Sequence, residues 1–388
     1  MNSSRVVFPR YLHRIGIIAA MLALGCGAEA APAKGRLIIC GGGLDLKERF
    51  IYEAMTARIK DTTETVGIIP TASADPEDSV KGYVEDFSAV LGPGRAEGIP
   101  LTTATAEKAR DEALAARIRQ HAVLFFTGGD QSRITQVFLP GGEPTPAYKA
   151  VVDVLAKGGT VGGSSAGAAM MSDPMLTWGT SSGALKEGVG TKEDAGVGIG
   201  KGMGLFPYGL TDQHFLKRSR YGRFIVALEA AKVRFGYGVD EQRAIEVDLE
   251  TSTVTTLGSQ ALALLDMGEM RRNGHSRTLI RVSLLGSGDK VAGDTGEVTP
   301  AEGRKALAPP GTVAQPFVLD DAWSDFALTK CISALAAGAP VATARDKNFE
   351  IRFTRDNQTR FWTNEVDGKP VVSAHRVRLD VVEKDSGQ

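Results

Sequence analysis

Residues 160–168 read Thr160-Val161-Gly162-Gly163-Ser164-Ser165-Ala166-Gly167-Ala168, an apolar run followed by a G-x-S-x-G turn and small helix-forming residues. In this pattern, glycines let the chain turn sharply from a strand into a helix, with the serine hydroxyl at the tip. The first N–H groups of such a helix face developing negative charge. The stretch therefore predicts a βα unit that carries a nucleophile at Ser165. An ordinary tight turn is the alternative, because a chain with 46 glycines meets this short pattern easily.

Short apolar runs alternate with amphipathic segments on both sides of this unit. Strand-like runs begin near residues 37, 66, 122 and 160, and helical segments separate them, including one predicted over 106–121. Such βα alternation predicts an α/β fold with a doubly wound, mostly parallel sheet and helices on both faces. From residue 244 the pattern becomes strand-rich, which predicts strand-rich additions to that sheet.

Composition divides the rest of the chain. We predict a hydrolase domain over 36–285, an exposed Gly- and Pro-rich linker over 286–316, and a small α+β C-terminal extension over 317–388. With 388 residues and a net charge of −1, the chain lacks the basic stripe typical of nucleic-acid binders, so we expect no nucleic-acid partner.

The N-terminus has the pattern of an export signal. Three arginines precede an apolar run over 15–24, and Ala28-Glu29-Ala30 is a small-x-small cleavage site, which predicts a signal peptide over 1–30 and a periplasmic or extracellular protein. Lipid attachment at Cys26 is the less favoured alternative, because the residues before it fit a lipoprotein site poorly. The apolar run is too short for a stable membrane span, which needs about 20 residues.

A serine nucleophile needs a general base, and the chain has five histidines. His13 lies in the signal segment, and His121 is expected at a solvated helix end. His275 lies in a polar segment, and His375 in a late strand-like run. His214 lies in a short polar connection before an amphipathic helix and is therefore the best candidate. A structural histidine is the alternative.

An acid must hold the imidazole. The run Phe235-Gly236-Tyr237-Gly238-Val239 is strand-like and ends in Asp240-Glu241, and catalytic side chains commonly project from strand ends in α/β sheets. Adjacent residues of an extended chain point to opposite faces, so only one of the two acids can reach the histidine. The residues alone do not choose between Asp240 and Glu241.

Five motifs occur in one order that resembles the cyanophycinases, serine peptidases related to dipeptidase E. They are Phe125-Phe126-Thr127-Gly128-Gly129-Asp130-Gln131, Gly163-Ser164-Ser165-Ala166-Gly167-Ala168, Asp212-Gln213-His214-Phe215, Arg218-Ser219-Arg220-Tyr221-Gly222-Arg223 and Asp240-Glu241. The resemblance covers roughly residues 37–248. It departs at Ser164 and Arg243, where the family usually has threonine.

The resemblance implies a glutamine-amidotransferase-like (flavodoxin-like) sheet, with Ser165 as nucleophile, His214 as base and Glu241 as acid. It also implies an exported enzyme that hydrolyses cyanophycin (multi-L-arginyl-poly-L-aspartate) to β-Asp-Arg dipeptides through an acyl-enzyme. The implied substrate-binding residues are Gln131, Asp212, Gln213, Arg218, Arg220 and Arg223. The arginine cluster suits a carboxylate clamp, because guanidinium groups bind carboxylates bidentately, whereas a solvated basic face is the alternative.

Two further features bear on the chemistry. Gly128 and Gly129 follow a strand and leave backbone N–H groups open to close approach, so either could join the Ala166 N–H in an oxyanion hole. An ordinary βα loop is the alternative. No residue spacing indicates zinc, and Gly41-Gly42-Gly43 lacks the phosphate-binding patterns, so we expect no metal and no cofactor.

The sequence is compatible with two rival functions. One is a dipeptidase or isopeptidase for other aspartyl peptides, and the other is a non-catalytic periplasmic binding protein on the same scaffold. The presence of all three triad residue types argues against the second. The sequence also leaves open whether two copies of the chain form a homodimer.

Overall fold

The carboxyl ends of several parallel strands meet around Ser165 in the computed structural model. The structure describes residues 34–190, 195–308, 315–366 and 369–384. The predicted signal segment, its cleavage site near Ala30 and the alternative lipidation site Cys26 lie outside the described residues.

The described helices are, in chain order, α1 (Arg49–Thr56), α2 (Pro76–Leu91), α3 (Glu112–Ile118), α4 (Gln131–Phe138), α5 (Pro146–Ala156), α6 (Ala166–Ala169), α7 (Ser181–Glu187), α8 (Tyr221–Ala231) and α9 (Ala327–Ala336). The described strands are β1 (Arg36–Cys40), β2 (Val66–Ile69), β3 (Ala96–Gly98), β4 (Val123–Phe126), β5 (Thr160–Ser164), β6 (Met175–Gly179), β7 (Val197–Gly200), β8 (Leu210–Asp212), β9 (Phe235–Val239), β10 (Ala244–Asp248), β11 (Thr253–Leu257), β12 (Leu262–Asp266), β13 (Arg271–Asn273), β14 (Ser276–Leu285), β15 (Lys290–Ala292), β16 (Val298–Thr299), β17 (Lys305–Ala306), β18 (Phe317–Leu319), β19 (Val341–Arg345), β20 (Phe349–Thr354), β21 (Arg360–Val366) and β22 (Lys369–Glu383).

The first sheet has the order β16-β15-β11-β10-β1-β5-β4-β2-β3. Strands β1, β5, β4, β2 and β3 are mutually parallel, and β10, β11, β15 and β16 extend the β1 edge in antiparallel fashion. The α/β fold with a parallel central sheet and strand-rich additions is therefore confirmed.

Helices cover both faces of the parallel strands because these strands are apolar on both sides. On one face, α1 and α2 bury Tyr52 and Phe87 against Phe125. On the other face, Ile134 of α4 and Val151 of α5 belong to a buried apolar cluster that also contains residues of the strands. This arrangement leaves the carboxyl edge of the strands open, where open α/β sheets place their ligand sites.

The second sheet contains the order β18-β19-β20-β22-β14-β12-β9-β8. Its strands β18 to β22 come from the predicted C-terminal extension, whereas β8 and β9 come from the predicted hydrolase domain. The extension therefore continues a sheet of that domain. The chain passes from β9 in the second sheet to β10 in the first through the turn that carries Asp240 and Glu241.

Two expectations need correction. The segment 286–316, predicted as an exposed linker, contributes β15 and β16 to the first sheet and β17 to the second, and its Asp289 is fully buried. The helix expected over 106–121 is interrupted, because a 3₁₀ segment ends at Arg110 and Asp111 then caps α3. In the part of the chain that the structure describes, no helix is long and apolar enough to cross a bilayer.

Candidate active site

Ser165 lies at the turn between β5 and α6, in a strained backbone conformation with φ 54° and ψ −107°. Its N–H donates to the carbonyl of Cys40 at 3.1 Å, and its carbonyl accepts the N–H of Ala169 at 2.9 Å. Non-glycine residues rarely adopt such angles, and these strained conformations persist only where the surrounding structure enforces them. This is the geometry expected of a nucleophile at a strand-to-helix turn.

The glycines of this turn are required by close backbone approach. A Cβ on Gly163 would lie 2.2 Å from the carbonyl oxygen of Gly167, and a Cβ on Gly167 would lie 2.3 Å from the carbonyl oxygen of Phe126. Real side-chain carbons do not approach this closely, so both positions demand glycine. The two glycines of G-x-S-x-G are therefore explained by close packing within the turn at Gly163 and against β4 at Gly167.

His214 stands opposite Ser165, on the connection that follows β8. Its Nε2 lies 2.9 Å from Ser165 Oγ, within hydrogen-bonding distance. The backbone of His214 has φ 49°, and its N–H donates to the carbonyl of Gly41 at 2.7 Å. The chain between β8 and α8 thus presents the imidazole toward the serine.

The turn after β9 brings a carboxylate to the imidazole. Glu241 Oε1 lies 2.5 Å from His214 Nδ1. Asp240 points elsewhere: it is 6% exposed, and its Oδ1 accepts the backbone N–H groups of Leu216 and Lys217 at 3.0 and 2.9 Å. The structure therefore brings Glu241, not Asp240, to the imidazole, and Asp240 instead ties down the loop that follows His214.

Burial governs the electrostatics of the imidazole. It lowers the pKa of His214 below its usual value near 6.5, opposed by the hydrogen bond to Glu241 and reinforced by the positive charges of Arg218 and Arg220. Burial also raises the pKa of Asp240. Burial therefore favours the neutral imidazole, the state that can accept a proton.

Of the two glycines considered for an oxyanion hole, Gly128 is the one beside Ser165. A Cβ on Gly128 would lie 3.4 Å from the Cβ of Ser165. Gly129, with φ 137°, packs instead on the carbonyl of Ala72. Ala166 is the first residue of α6, so its N–H has no acceptor within that helix.

The predicted substrate-binding residues divide by exposure. Arg218 is the most open: its side chain is 52% exposed, and its Nε lies 3.8 Å from Glu241 Oε1. Arg220 is largely buried and donates from Nη1 to the carbonyl of Gln213 at 2.7 Å; burial lowers its pKa to about 10. Gln131 is buried, and its Nε2 donates to two carbonyls of β6, those of Leu176 and Thr177.

Asp212 and Arg223 engage each other rather than open space. Arg223 forks onto both carboxylate oxygens of Asp212, and its Nη1 donates to the carbonyl of Gly179 at 2.9 Å. The two side chains are 1% and 6% exposed. Gln213, which lies between Asp212 and His214, has a buried Oε1 with no hydrogen-bond partner among the described residues.

Comparison with known proteins identifies the family. The profile described as peptidase family S51 matches residues 37–255, more than half of the chain and a range that contains every site residue discussed above. The chain belongs to peptidase family S51. It is thus a serine-type peptidase.

Relatives of this S51 peptidase have been named. The cyanophycinase of Synechococcus elongatus is 27% identical over 259 residues, which cover 66% of this chain and 76% of that protein. The cyanophycinase of Geminocystis herdmanii is 28% identical over 276 residues, covering 66% of this chain and 93% of that protein. A crystal structure of a peptidase from an acI-B1 Actinobacterium aligns with a TM-score of 0.49 and 18% identity, covering 67% of this chain and 98% of that one.

Sequence reasoning missed one element of the peptidase site, the glycine turn after β1. From the sequence, the run of three glycines is considered only as a phosphate-binding pattern, but a Cβ on Gly42 would lie 2.3 Å from Cε1 of His214. The parallel register of β1 and β5, in which Cys40 pairs with Ser164, was the missing signal, because it places the residues after Cys40 beside Ser165. Among the described residues, no group of three or more His, Cys, Asp or Glu side chains is arranged to hold a metal ion.

Proposed function

We propose that this S51 peptidase hydrolyses cyanophycin to β-Asp-Arg dipeptides through an acyl-enzyme formed on Ser165. The observation that carries the catalytic part is the continuous chain from Ser165 Oγ through both nitrogens of His214 to Glu241. An alcohol is a poor nucleophile until a base accepts its proton, and the neutral imidazole is positioned to do so.

The proposed reaction has two halves. Ser165 Oγ attacks the scissile carbonyl while its proton passes to His214 Nε2. The C–N bond then breaks as His214 returns that proton to the leaving amine. Water then attacks the ester while its proton passes to His214 Nε2. The ester C–O bond breaks as His214 gives this proton to Ser165 Oγ, which releases the acid and the free serine. Glu241 stabilises the transient imidazolium and fixes the tautomer with the proton on Nδ1.

The oxyanion of each tetrahedral intermediate needs preorganised donors. We assign this role to the N–H groups of Ala166 and Gly128, with Gly129 shaping the loop against Ala72. The closeness of Gly128 to Ser165 supports this choice. Removal of one such donor typically lowers turnover by about 10²–10³-fold.

Substrate recognition is assigned from the exposure of each residue. The open guanidinium of Arg218 is suited to a substrate carboxylate, and the unpaired buried Oε1 of Gln213 to an amide or guanidinium donor. Arg220 bonds to the backbone of Gln213, and Gln131 bonds to β6, so both would position these segments instead of contacting the substrate. For Asp212 and Arg223, their mutual pairing supports a role in positioning the His214 loop.

The substrate proposal rests on the named relatives and needs a direct experiment. Mature protein is incubated with cyanophycin and, in parallel, with free Asp-X dipeptides, and the products are identified by mass spectrometry. We expect β-Asp-Arg from the polymer at a rate well above any dipeptide hydrolysis. Cleavage of the dipeptides alone would transfer the assignment to a dipeptidase.

The catalytic proposal is tested with matched serine variants. Ser165→Ala should abolish turnover and labelling by a fluorophosphonate, leaving at most the ~10³–10⁴-fold advantage over water that binding and oxyanion donors give. Ser164→Ala, which alters the neighbouring buried serine of β5, should keep both. Normal turnover by the Ser165→Ala variant would contradict the assignment.

Export is tested separately, by whether the N-terminus of secreted protein begins after Ala30.

A further inference from the structure

Backbone groups next to all three triad residues meet on one short stretch of chain, Cys40–Gly42. The carbonyl of Cys40 accepts the N–H of Ser165 at 3.1 Å, and that of Gly41 accepts the N–H of His214 at 2.7 Å. The carbonyl of Gly42 accepts the N–H of Gln242, the residue after Glu241, at 2.8 Å. Three loops that are far apart in sequence are therefore fixed to consecutive carbonyl groups.

Gly42 also occupies the space directly against the imidazole. A Cβ built on this residue would lie 2.3 Å from His214 Cε1, 2.5 Å from Nε2 and 2.9 Å from Nδ1. These are the two nitrogens that contact Ser165 and Glu241, together with the carbon between them. The edge of the ring that carries both nitrogens therefore packs against Gly42 and leaves no room for a side chain there.

Resting on the proposed roles of Ser165 and His214, we infer that Gly42 is a positioning residue that sets the place of the imidazole between the serine and the acid. Carbon atoms pack at about 3.5–4.0 Å, so a methyl group on Gly42 would drive the ring edge back by more than about 1 Å. A shift of that size is enough to break the 2.9 Å contact with Ser165 Oγ. The glycine is required by the ring, in addition to its φ of 116°.

The neighbouring Gly43 provides a matched control. It too has a positive φ, 61° against 116° at Gly42, so alanine must adopt a positive φ at both positions, with the greater strain at Gly42. Gly43 is exposed, however, and a Cβ there would meet nothing closer than 3.8 Å. Its nearest neighbour would be Cβ of Glu241, at ordinary contact distance. Gly43→Ala therefore controls for a positive φ in this turn, and removal of the His214 ring, described below, separates contact with the ring from the remaining backbone strain.

The first test is kinetic. For Gly42→Ala we expect the rate of Ser165 labelling by a fluorophosphonate, and kcat on cyanophycin, to fall by about 10²-fold, while KM changes little. Gly43→Ala should stay within a few-fold of the parent in both measurements. A loss of stability alone would also lower the apparent kcat at unchanged KM, so kcat is referred to folded protein. It would lower the final amount of labelled protein but not the rate constant of labelling, which therefore distinguishes ring displacement from unfolding. Equal rates for the two variants would overturn the inference.

The second test needs no substrate and covers the case in which Gly42→Ala folds poorly. Gly42→Ala is introduced into the parent and into a His214→Ala chain, and the melting temperatures of all four proteins are compared. If the methyl group collides with the imidazole, it should lower the melting temperature clearly less when the ring is absent. Equal losses in both backgrounds would refute contact with the ring. Failure to cleave cyanophycin would leave this comparison intact and would contradict only the proposed substrate.

Discussion

Replacement of Arg223 by methionine separates a structural role of this residue from a direct contact with substrate. The variant keeps much of the side-chain volume but leaves the carboxylate of Asp212, whose side chain is 1% exposed, without its bidentate partner. Removing one member of a buried ion pair typically costs 3–5 kcal/mol. Arg220 remains 3.6 Å from Asp212 and offsets part of this loss, so we expect about 3 kcal/mol.

The assay is urea unfolding followed by tryptophan fluorescence and circular dichroism, with kinetics on the folded variant. Two comparisons sharpen it. The double variant Arg223→Met/Asp212→Asn removes the buried charge and should recover about 2 kcal/mol, the size of coupling expected for contacting residues. Arg234→Met breaks the ion pair with Asp266, in which the arginine is 58% exposed, and should cost less than about 1 kcal/mol.

The kinetic result decides between the two roles. If Arg223 positions the His214 loop, kcat should fall with the stability of the variant while KM stays near the parent value. If Arg223→Met unfolds within about 1 kcal/mol of the parent but raises KM at least about tenfold, the guanidinium binds substrate directly and our reasoning is refuted. A double variant no more stable than Arg223→Met would equally refute the account based on a buried charge.

The remaining predictions concern the neighbours of the triad. Because the charge of Arg218 lowers the pKa of His214, Arg218→Gln should move the acid limb of kcat/KM to higher pH, an effect that 1 M salt removes; an unmoved limb at low salt contradicts it. Glu241→Gln removes a group that raises this pKa, so the limb should move to lower pH, with kcat reduced about 10⁴-fold. Asp240→Ala should lower the free energy of unfolding by about 2–3 kcal/mol, because two backbone N–H groups lose their acceptor. Asp240→Asn keeps an acceptor oxygen and should keep most of the stability. Equal losses for the two variants in urea unfolding would exclude the capping role.

The residues around Ser165 differ in how well a local sequence pattern predicts them. The strand-to-helix turn was predictable because strand, glycines and helix are contiguous, and the required spacing is local. His214 emerged from five histidines by elimination. The prediction of a solvated helix end for His121 is wrong, because this residue is 5% exposed and contacts Thr65 at 2.9 Å.

What the sequence determined by itself was the alternation of strands and helices, hence the α/β class, and the identity of the residue types near the site. The residues alone left Asp240 and Glu241 open, and the family resemblance implied Glu241. Only the tertiary structure showed that Glu241 faces His214, that Asp212 is paired with Arg223, and that Gly42 supports the imidazole. The physical reason is that periodicity reports local conformation, whereas the partner of a buried polar group depends on strand register and on turns between sheets. Those relations join residues far apart in the chain, and no local pattern records them.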